Sequence, residues 1–468
     1  MIYDVAVIGA GVVGTAIARE LSTYDLATVV IEAADDVGTG TTKANTAIRH
    51  TGFDAKPGSL ESSLLRRAYP LLTRYAEEAG IPLETTGATL VAWDHEQLGR
   101  LDLLAIQAKE NGYSDVQPVS ADELYGREPS LGPGALGGLV IPGEGIVCPF
   151  TTPLAFATEA LLNDVEFELG SAVAQIATGS GKHVLTTARR ELSARWVVNA
   201  AGLWSDSVDA MMGHERFTVT PRRGQLIVFD KLARGLVRSI LLPVPTPVSK
   251  GVLVAPTVFG NVLLGPTAEN LEDRRATQTT ASGLSDLMAK GRSIVPALVD
   301  HEVTATYAGL RAATEHSDYQ IHCDPAQRYV CVGGIRSTGL SASMGIAAHV
   351  TELMADAGLR LLRSAGHRNI RMPPIGEAQV RPFSDAATIR TNPSYGEIVC
   401  HCERTTRGEL LDALESPLPA RTMDGIRRRT RAGLGRCQGF YCSAAIESML
   451  VSRRAVSPAH VATSRAVQ

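Results

Sequence analysis

The 468-residue chain lacks any apolar run approaching the roughly 20 residues that a membrane-spanning helix requires. It also lacks an excess of charge of either sign: a net charge of −4 gives no electrostatic case for nucleic acid as a partner. No internal repeat is visible. The chain opens MIYDVAVIGAG, a strand running straight into a glycine turn, which leaves no room for a secretory signal. A disulfide framework is missing too. The seven cysteines are an odd count; Cys148, Cys323 and Cys331 are scattered, and the other four gather near the C-terminus. Together these absences predict a reduced, cytoplasmic protein, with any membrane association going through a partner. Hydrophobic residues are 44% and charged residues 20% of the chain, enough for a large core spread over two or three domains.

The clustered cysteines are Cys400 and Cys402, then Cys437 and Cys442 after 34 intervening residues. Four thiolates from two short loops suit a [2Fe–2S] cluster. The competing assignment is zinc, but zinc sites favour pairs spaced C-x2–4-C, and C-x-C is tighter. Thr406-Arg407-Gly408-Glu409 is a capping-box pattern that opens a helix. A second helix opens at Ser443, directly after Cys442, and its N-terminus would favour negative charge nearby. Residues 421–436 carry six arginines and one acid, a run whose ordinary meaning is a solvated face; beside an anionic cluster it could also dock an acidic partner.

At the N-terminus, an apolar strand over Tyr3–Ile8 precedes Gly9-Ala10-Gly11-Val12-Val13-Gly14, helical periodicity over Val12–Leu21, and a second strand over Thr28–Ile31. This fits G-x-G-x-x-G in its required strand–turn–helix context. Gly9 permits the tight turn, Gly11 lets a pyrophosphate approach the backbone, and Gly14 lets helix and strand pack closely. The phosphates of a dinucleotide would sit on the helix N-terminus. Glu32 ends the second strand, where its carboxylate can accept from ribose hydroxyls. The fingerprint alone does not separate FAD from NAD.

The segments GTTKANTAIRHTGF (40–53), VVNAAGLWSD (197–206) and GGIRSTGLSASMGIA (333–347) resemble the D-amino-acid-oxidase-like flavoprotein superfamily. Within it, residues 1–360 resemble the branch of glycerol-3-phosphate and L-2-hydroxyglutarate dehydrogenases. The cysteine segment 396–454 resembles the bacterioferritin-associated-ferredoxin-like [2Fe–2S] domain, which also occurs at the C-terminus of anaerobic glycerol-3-phosphate dehydrogenase large subunits. The resemblance implies an α/β fold: a Rossmann-type FAD-binding domain (1–81, 146–215, 301–365) interleaved with a mixed α+β substrate domain (82–145, 216–300). A Pro/Ser/Thr-rich linker (366–395), a small helical cluster domain (396–454) and a frayed tail (455–468) complete the expectation. FAD and a [2Fe–2S] cluster are the implied cofactors. The expected cofactor-binding residues are Gly9, Gly11, Gly14, Glu32, Thr42, Lys43, Asn45, Val173, Ala201, Gly202, Gly334, Gly339, Leu340 and Ser341. Gly339 and Leu340 would offer N–H groups to the flavin's pyrimidine edge.

For the substrate, the resemblance places His50 near the flavin as a base for the hydroxyl proton, although it could merely hydrogen-bond the flavin or the backbone. Arg311, in GLRAAT, meets the substrate's anionic end, and Arg336 faces the same region. Arg49 departs from the apolar residue that many relatives carry just before the histidine; it could add substrate charge recognition, but strand alternation would instead point it away from His50, as a surface arginine. Arg223 is expected to be structural. These residues imply a dehydrogenase that oxidises a small anionic hydroxy compound to a ketone and passes electrons through the cluster to a protein or quinone-linked acceptor. Such an enzyme could be a homo- or hetero-oligomer. An amine or amino-acid dehydrogenase of the same superfamily is the alternative. A non-catalytic electron-transfer subunit is a second one, disfavoured because a bare carrier needs neither His50 nor Arg311.

Overall fold

A computed structural model describes residues 1–179, 181–245 and 251–456. The chain divides into two compact units, Met1–Gln379 and Val380–Gln468.

The first unit holds two large sheets. In the first, strands run Glu166–Leu169, Thr28–Glu32, Ile2–Ile8 and Glu191–Asn199 side by side, all parallel. The far edge of Glu191–Asn199 is shared. Its first half pairs with Lys182–Thr187 of a hairpin, and its last three residues pair with Tyr329–Gly333. Ile2–Ile8 reads as a near-continuous apolar run because both of its faces are covered, as in other parallel sheets. The helices Val12–Leu21 and Gly339–Asp356 pack on this sheet and on each other.

The second sheet is mixed. It runs Val303–Ala313, Thr220–Phe229, Val262–Gly265, Leu253–Pro256, Ile240–Pro243, Ala88–Ala92, Gly137–Ile141 and Gln117–Ser120. Val303–Ala313, expected within the FAD-binding segment 301–365, instead pairs along the whole of Thr220–Phe229, so the substrate sheet extends past residue 300. The rest of the expected interleaving appears in the strand order: sequence-distant segments assemble each sheet, and each sheet has its own buried cluster. The long helix Leu60–Ala79 begins where the Ser59 hydroxyl accepts the Ser62 N–H at 3.1 Å and caps it.

The second unit is small and mostly helical. A strand pair, Ile398–Cys400 with Thr405–Thr406, is followed by helices Arg407–Glu415, Met423–Thr430 and Ser443–Val456. Leu410, Ile426, Ile446 and Leu450 form its core. The expected capping box is present between Thr406 and Glu409. Residues 380–395, expected in the linker, belong to this unit, where Arg381 is buried against Glu409 at 2.7 Å. The arginine-rich run is not simply a solvated face. Arg428 and Arg431 are buried, paired with Asp424 and with Glu403 at 2.9 Å. The expected frayed tail falls largely on residues 457–468, outside the described residues. Among the described residues, no helix is long and apolar enough to cross a membrane.

Candidate active site

The nucleotide turn is built as its glycines require. Gly9 has φ of 104°, a conformation that L side chains rarely adopt. A Cβ on Gly14 would lie 1.9 Å from the Gly9 carbonyl, so helix and turn meet at a distance that no side chain permits. Glu32 accepts the Ala10 N–H at 2.6 Å and the Ala34 N–H at 2.8 Å, which ties the second strand to the turn. Burial pushes its carboxyl above the usual range, and the backbone N–H groups partly oppose that.

Beyond the turn opens a cavity of about 910 Å³, at the upper end of the roughly 300–1,000 Å³ of small-molecule and cofactor sites. Gly11, Thr42, Asn45, His50, Gly202, Gly334, Gly339, Leu340, Arg311 and Arg336 line it. The structure therefore brings these expected residues together from both sheets. Gly9, Gly14, Glu32, Lys43, Val173, Ala201 and Ser341 stand off its wall. Val173 pairs with Thr187 and packs on the core of the first sheet, as does Ala201. The Ser341 hydroxyl accepts the His50 N–H at 2.9 Å and donates to the Ile48 carbonyl at 3.0 Å, so it holds the histidine strand in place.

The residues present fit FAD. Two helix N-termini, at Gly11 and at Thr338, reach the cavity, and neither cap residue satisfies its own helix with a side chain. Gly11 has none to offer. The Thr338 hydroxyl is instead engaged by Glu61 at 2.6 Å and Tyr319 at 2.5 Å. At the Gly11 end the Thr42 hydroxyl accepts the Val12 N–H at 3.0 Å, and the N–H groups left unpaired at a helix end favour an anionic or electron-rich ligand.

On the cavity wall, the His50 ring is held by a carboxylate that no sequence motif brings forward. His50 Nδ1 lies 3.0 Å from Glu144 Oε2, while Glu144 Oε1 accepts the Thr51 N–H at 2.6 Å and the Thr51 hydroxyl at 2.8 Å. Glu144 is 0% exposed. With Nδ1 donating to this carboxylate, Nε2 is the acceptor nitrogen and suits a base. The only sequence signal for Glu144 is an acid set among glycines in IPGEGIV, just before a buried strand.

Arg49 is not a surface residue. It is 1% exposed, donates to Thr73 at 2.6 Å, Thr85 at 2.9 Å and the Gly143 carbonyl at 3.1 Å, and lies over the Tyr69 ring at 4.4 Å. Alternation does turn it away from His50, but the short sheet formed with Gly145–Val147 and Leu83–Glu84 is covered on that side as well. Burial lowers the Arg49 guanidinium, and the Tyr69 and Glu144 side chains oppose that.

Arg311 donates to the Thr267 carbonyl at 3.2 Å. Burial, and secondarily the charge of Arg222, pushes its guanidinium down to about 10, so it stays charged at neutral pH. Arg336 donates to the Ser317 carbonyl. Arg223 has the structural role expected of it, held by Glu269 at 2.6 Å and the Gln278 carbonyl at 3.0 Å.

In the second unit the four cysteines come together, Cys402 beside Cys437 and Cys400 beside Cys442, each pair close enough for one thiol to act on the other's ionisation. The backbone N–H groups around Cys437, that of Tyr441 foremost, pull its thiol below the usual range, and the Phe440 N–H donates to the Cys437 carbonyl at 3.0 Å. Burial pushes Cys442 up to about 12. Among the described residues, no three metal-ligand side chains converge on a single ion position. Two pairs of soft sulfur donors beside backbone N–H groups fit a two-iron cluster, which spreads its four thiolates over both irons.

Comparison with known proteins agrees with this geometry. Residues 4–353 match the FAD dependent oxidoreductase (DAO) family and residues 398–452 match the BFD-like [2Fe-2S] binding domain. The chain belongs to the FAD dependent oxidoreductase family, and its cofactors are FAD and a [2Fe–2S] cluster. It is a dehydrogenase of glycerol-3-phosphate dehydrogenase type. It is 34% identical to a glycerol 3-phosphate dehydrogenase of Caloramator mitchellensis, over 96% of this chain and 94% of that one. It is 25% identical to a subunit of the anaerobic glycerol-3-phosphate dehydrogenase of Escherichia coli, over 96% and 88%. The FAD-bound L-alpha-glycerophosphate oxidase of Mycoplasma pneumoniae superposes with a TM-score of 0.75 at 28% identity, covering 80% of this chain and 99% of that one.

Proposed function

We propose that the protein oxidises the secondary hydroxyl of a small anionic substrate, glycerol 3-phosphate foremost, to a ketone, and that a quinone-linked or protein partner takes the electrons. Bound FAD supplies the hydride acceptor, and the [2Fe–2S] cluster supplies one-electron transfer onward. The observation that carries this reading is the joint presence of His50, backed by Glu144, and of Arg311 on the wall of one cavity.

Each residue has its own task. Arg311 binds the anionic group and so fixes where the carbinol carbon lies. His50 Nε2 takes the hydroxyl proton as the C–H bond breaks. Glu144 holds the ring in the tautomer with Nδ1–H and offsets the positive charge that the ring gains. The Gly339 and Leu340 N–H groups at the helix start would hold an electron-rich edge of the flavin and favour negative charge there. The assignment of glycerol 3-phosphate is supported by the names of the Caloramator and Escherichia coli relatives, and the latter's name marks that protein as one subunit of an enzyme.

An anaerobic titration watched at flavin and cluster wavelengths tests the reading. Glycerol 3-phosphate should bleach the flavin and then the cluster. Bleaching by amines or amino acids, with none by glycerol 3-phosphate, L-2-hydroxyglutarate or other hydroxy acids, would overturn it.

A further inference from the structure

Thr220–Phe229 carries two arginines in succession whose fates differ. Arg223 is neutralised by Glu269. Arg222, on the opposite face, lines the cavity, and its register partner on the neighbouring antiparallel strand is Arg311. Two guanidiniums thus stand directly across from one another on the cavity side of one ladder. Like charges so placed repel.

Among the described residues, neither arginine is paired with a carboxylate. Arg222 donates to the neutral Asn270 Oδ1 at 3.2 Å, and Arg311 to the neutral Thr267 carbonyl at 3.2 Å. The strand also makes space for them. A Cβ on Gly224 would lie 2.5 Å from Arg311 Nη2, so the guanidinium lies across bare backbone. The downward push on Arg311 from burial and from Arg222 is what a missing counter-charge produces.

One guanidinium fork matches one carboxylate. Two unneutralised forks match a group with two negative charges and several acceptor oxygens, which describes a phosphomonoester dianion. We infer that Arg222 and Arg311 together form a dianion subsite, in which Arg222 reads the second charge and so selects phosphomonoester hydroxy substrates over hydroxy monocarboxylates. The inference rests on the alcohol-oxidising reading of the cavity given above.

The test uses the FAD-loaded enzyme as wild type, Arg222→Gln and Arg222→Lys. Its first arm is equilibrium binding of inorganic phosphate and of acetate, followed by perturbation of the flavin spectrum. Its second arm is anaerobic flavin reduction by glycerol 3-phosphate and by 2-hydroxy acids. In the wild type, phosphate should bind more tightly as pH rises through its second ionisation, in the range of about 6 to 7, while acetate affinity stays flat there. Arg222→Gln should raise the phosphate Kd and the glycerol 3-phosphate KM by roughly 10- to 100-fold, the factor that a charge-assisted hydrogen bond supplies. It should change kcat and acetate binding by less than about threefold, and Arg222→Lys should recover part of the loss.

Equal weakening of phosphate and acetate, or a wild-type phosphate affinity indifferent to its charge state, would overturn the inference. If no hydroxy compound reduces the flavin, the alcohol reading fails, while the phosphate arm still decides whether the dianion subsite exists. The wild-type pH dependence needs no variant to fold.

Discussion

His50 Nδ1 and Glu144 Oε2 lie 3.0 Å apart, although 94 positions separate them in the chain. Glu144 is buried and already accepts two bonds from Thr51, so it has one orientation to offer the ring. Substituting Glu144→Gln keeps the shape but can present an amide N–H to Nδ1, which favours the wrong tautomer. Flavin reduction should slow by roughly 10²–10⁴-fold, the range for losing a general base or its orienting carboxylate. FAD content should be unchanged. Stopped-flow reduction with glycerol 3-phosphate measures this, and a rate within a factor of three of wild type would remove Glu144 from the mechanism.

Gly224→Ala should act at a distance from the flavin. Its Cβ would collide with the Arg311 guanidinium, whose long side chain must then move. The expected outcome is a KM for glycerol 3-phosphate raised by roughly 10-fold or more, as for a misplaced charged contact, with FAD binding intact. Steady-state kinetics alongside flavin content separates this from misfolding.

Arg49→Met should cost stability rather than catalysis. The substitution removes a charged donor from Thr73, Thr85 and the Gly143 carbonyl; Gly143 keeps the Tyr69 hydroxyl at 2.7 Å and Thr85 is open to water, so the loss of the Thr73 bond and of the buried charge-assisted contacts dominates. The loss of about 1–3 kcal/mol, the range for hydrogen bonds to a charged group, would appear as a lower Tm in thermal unfolding of the FAD-loaded enzyme. An unchanged Tm would mean that the Arg49 network contributes nothing net.

Cys402→Ser or Cys437→Ser should remove the cluster's visible absorbance and its acid-labile sulfide. Because the cysteines lie in the second compact unit, flavin bleaching by substrate should persist in these variants, while electron delivery to a quinone or protein acceptor fails. Loss of flavin bleaching as well would contradict a division of labour between the two units.

The parts of this protein that are legible in its sequence are those in which one short segment carries the whole physical reason. The nucleotide turn is such a case: Gly9 is needed for its own positive φ and Gly14 for its contact with the Gly9 carbonyl, both within one strand–turn–helix segment, so spacing reveals them. The paired cysteines are another. Glu144 is hidden because its meaning comes from His50 and Thr51, which reach it through folding. Arg49 is misplaced by alternation, which tells which face a residue takes but not whether that face is covered. Arg222 and Arg223 are identical letters in one strand. Only the register with Val303–Ala313 and the position of Glu269 distinguish an arginine aimed into the cavity from one locked in an ion pair. The domain boundary near residue 300 escapes the sequence for the same reason, since a strand's sheet is chosen by its partner.

The shared edge of strand Glu191–Asn199 has a consequence for how the enzyme is made. A ribosome delivers the Gly9–Gly14 turn about 320 residues before Gly334, Gly339 and Leu340 of the opposite wall, which follow the strand Tyr329–Gly333. At about 5–20 residues per second, the interval is roughly 15–65 s. Throughout it, the nascent chain carries half a cofactor site and an open sheet edge of the kind that pairs with strangers. FAD capture can therefore be completed only late in translation, and a cell short of flavin would accumulate apoprotein that has finished synthesis without closing its pocket around a ligand.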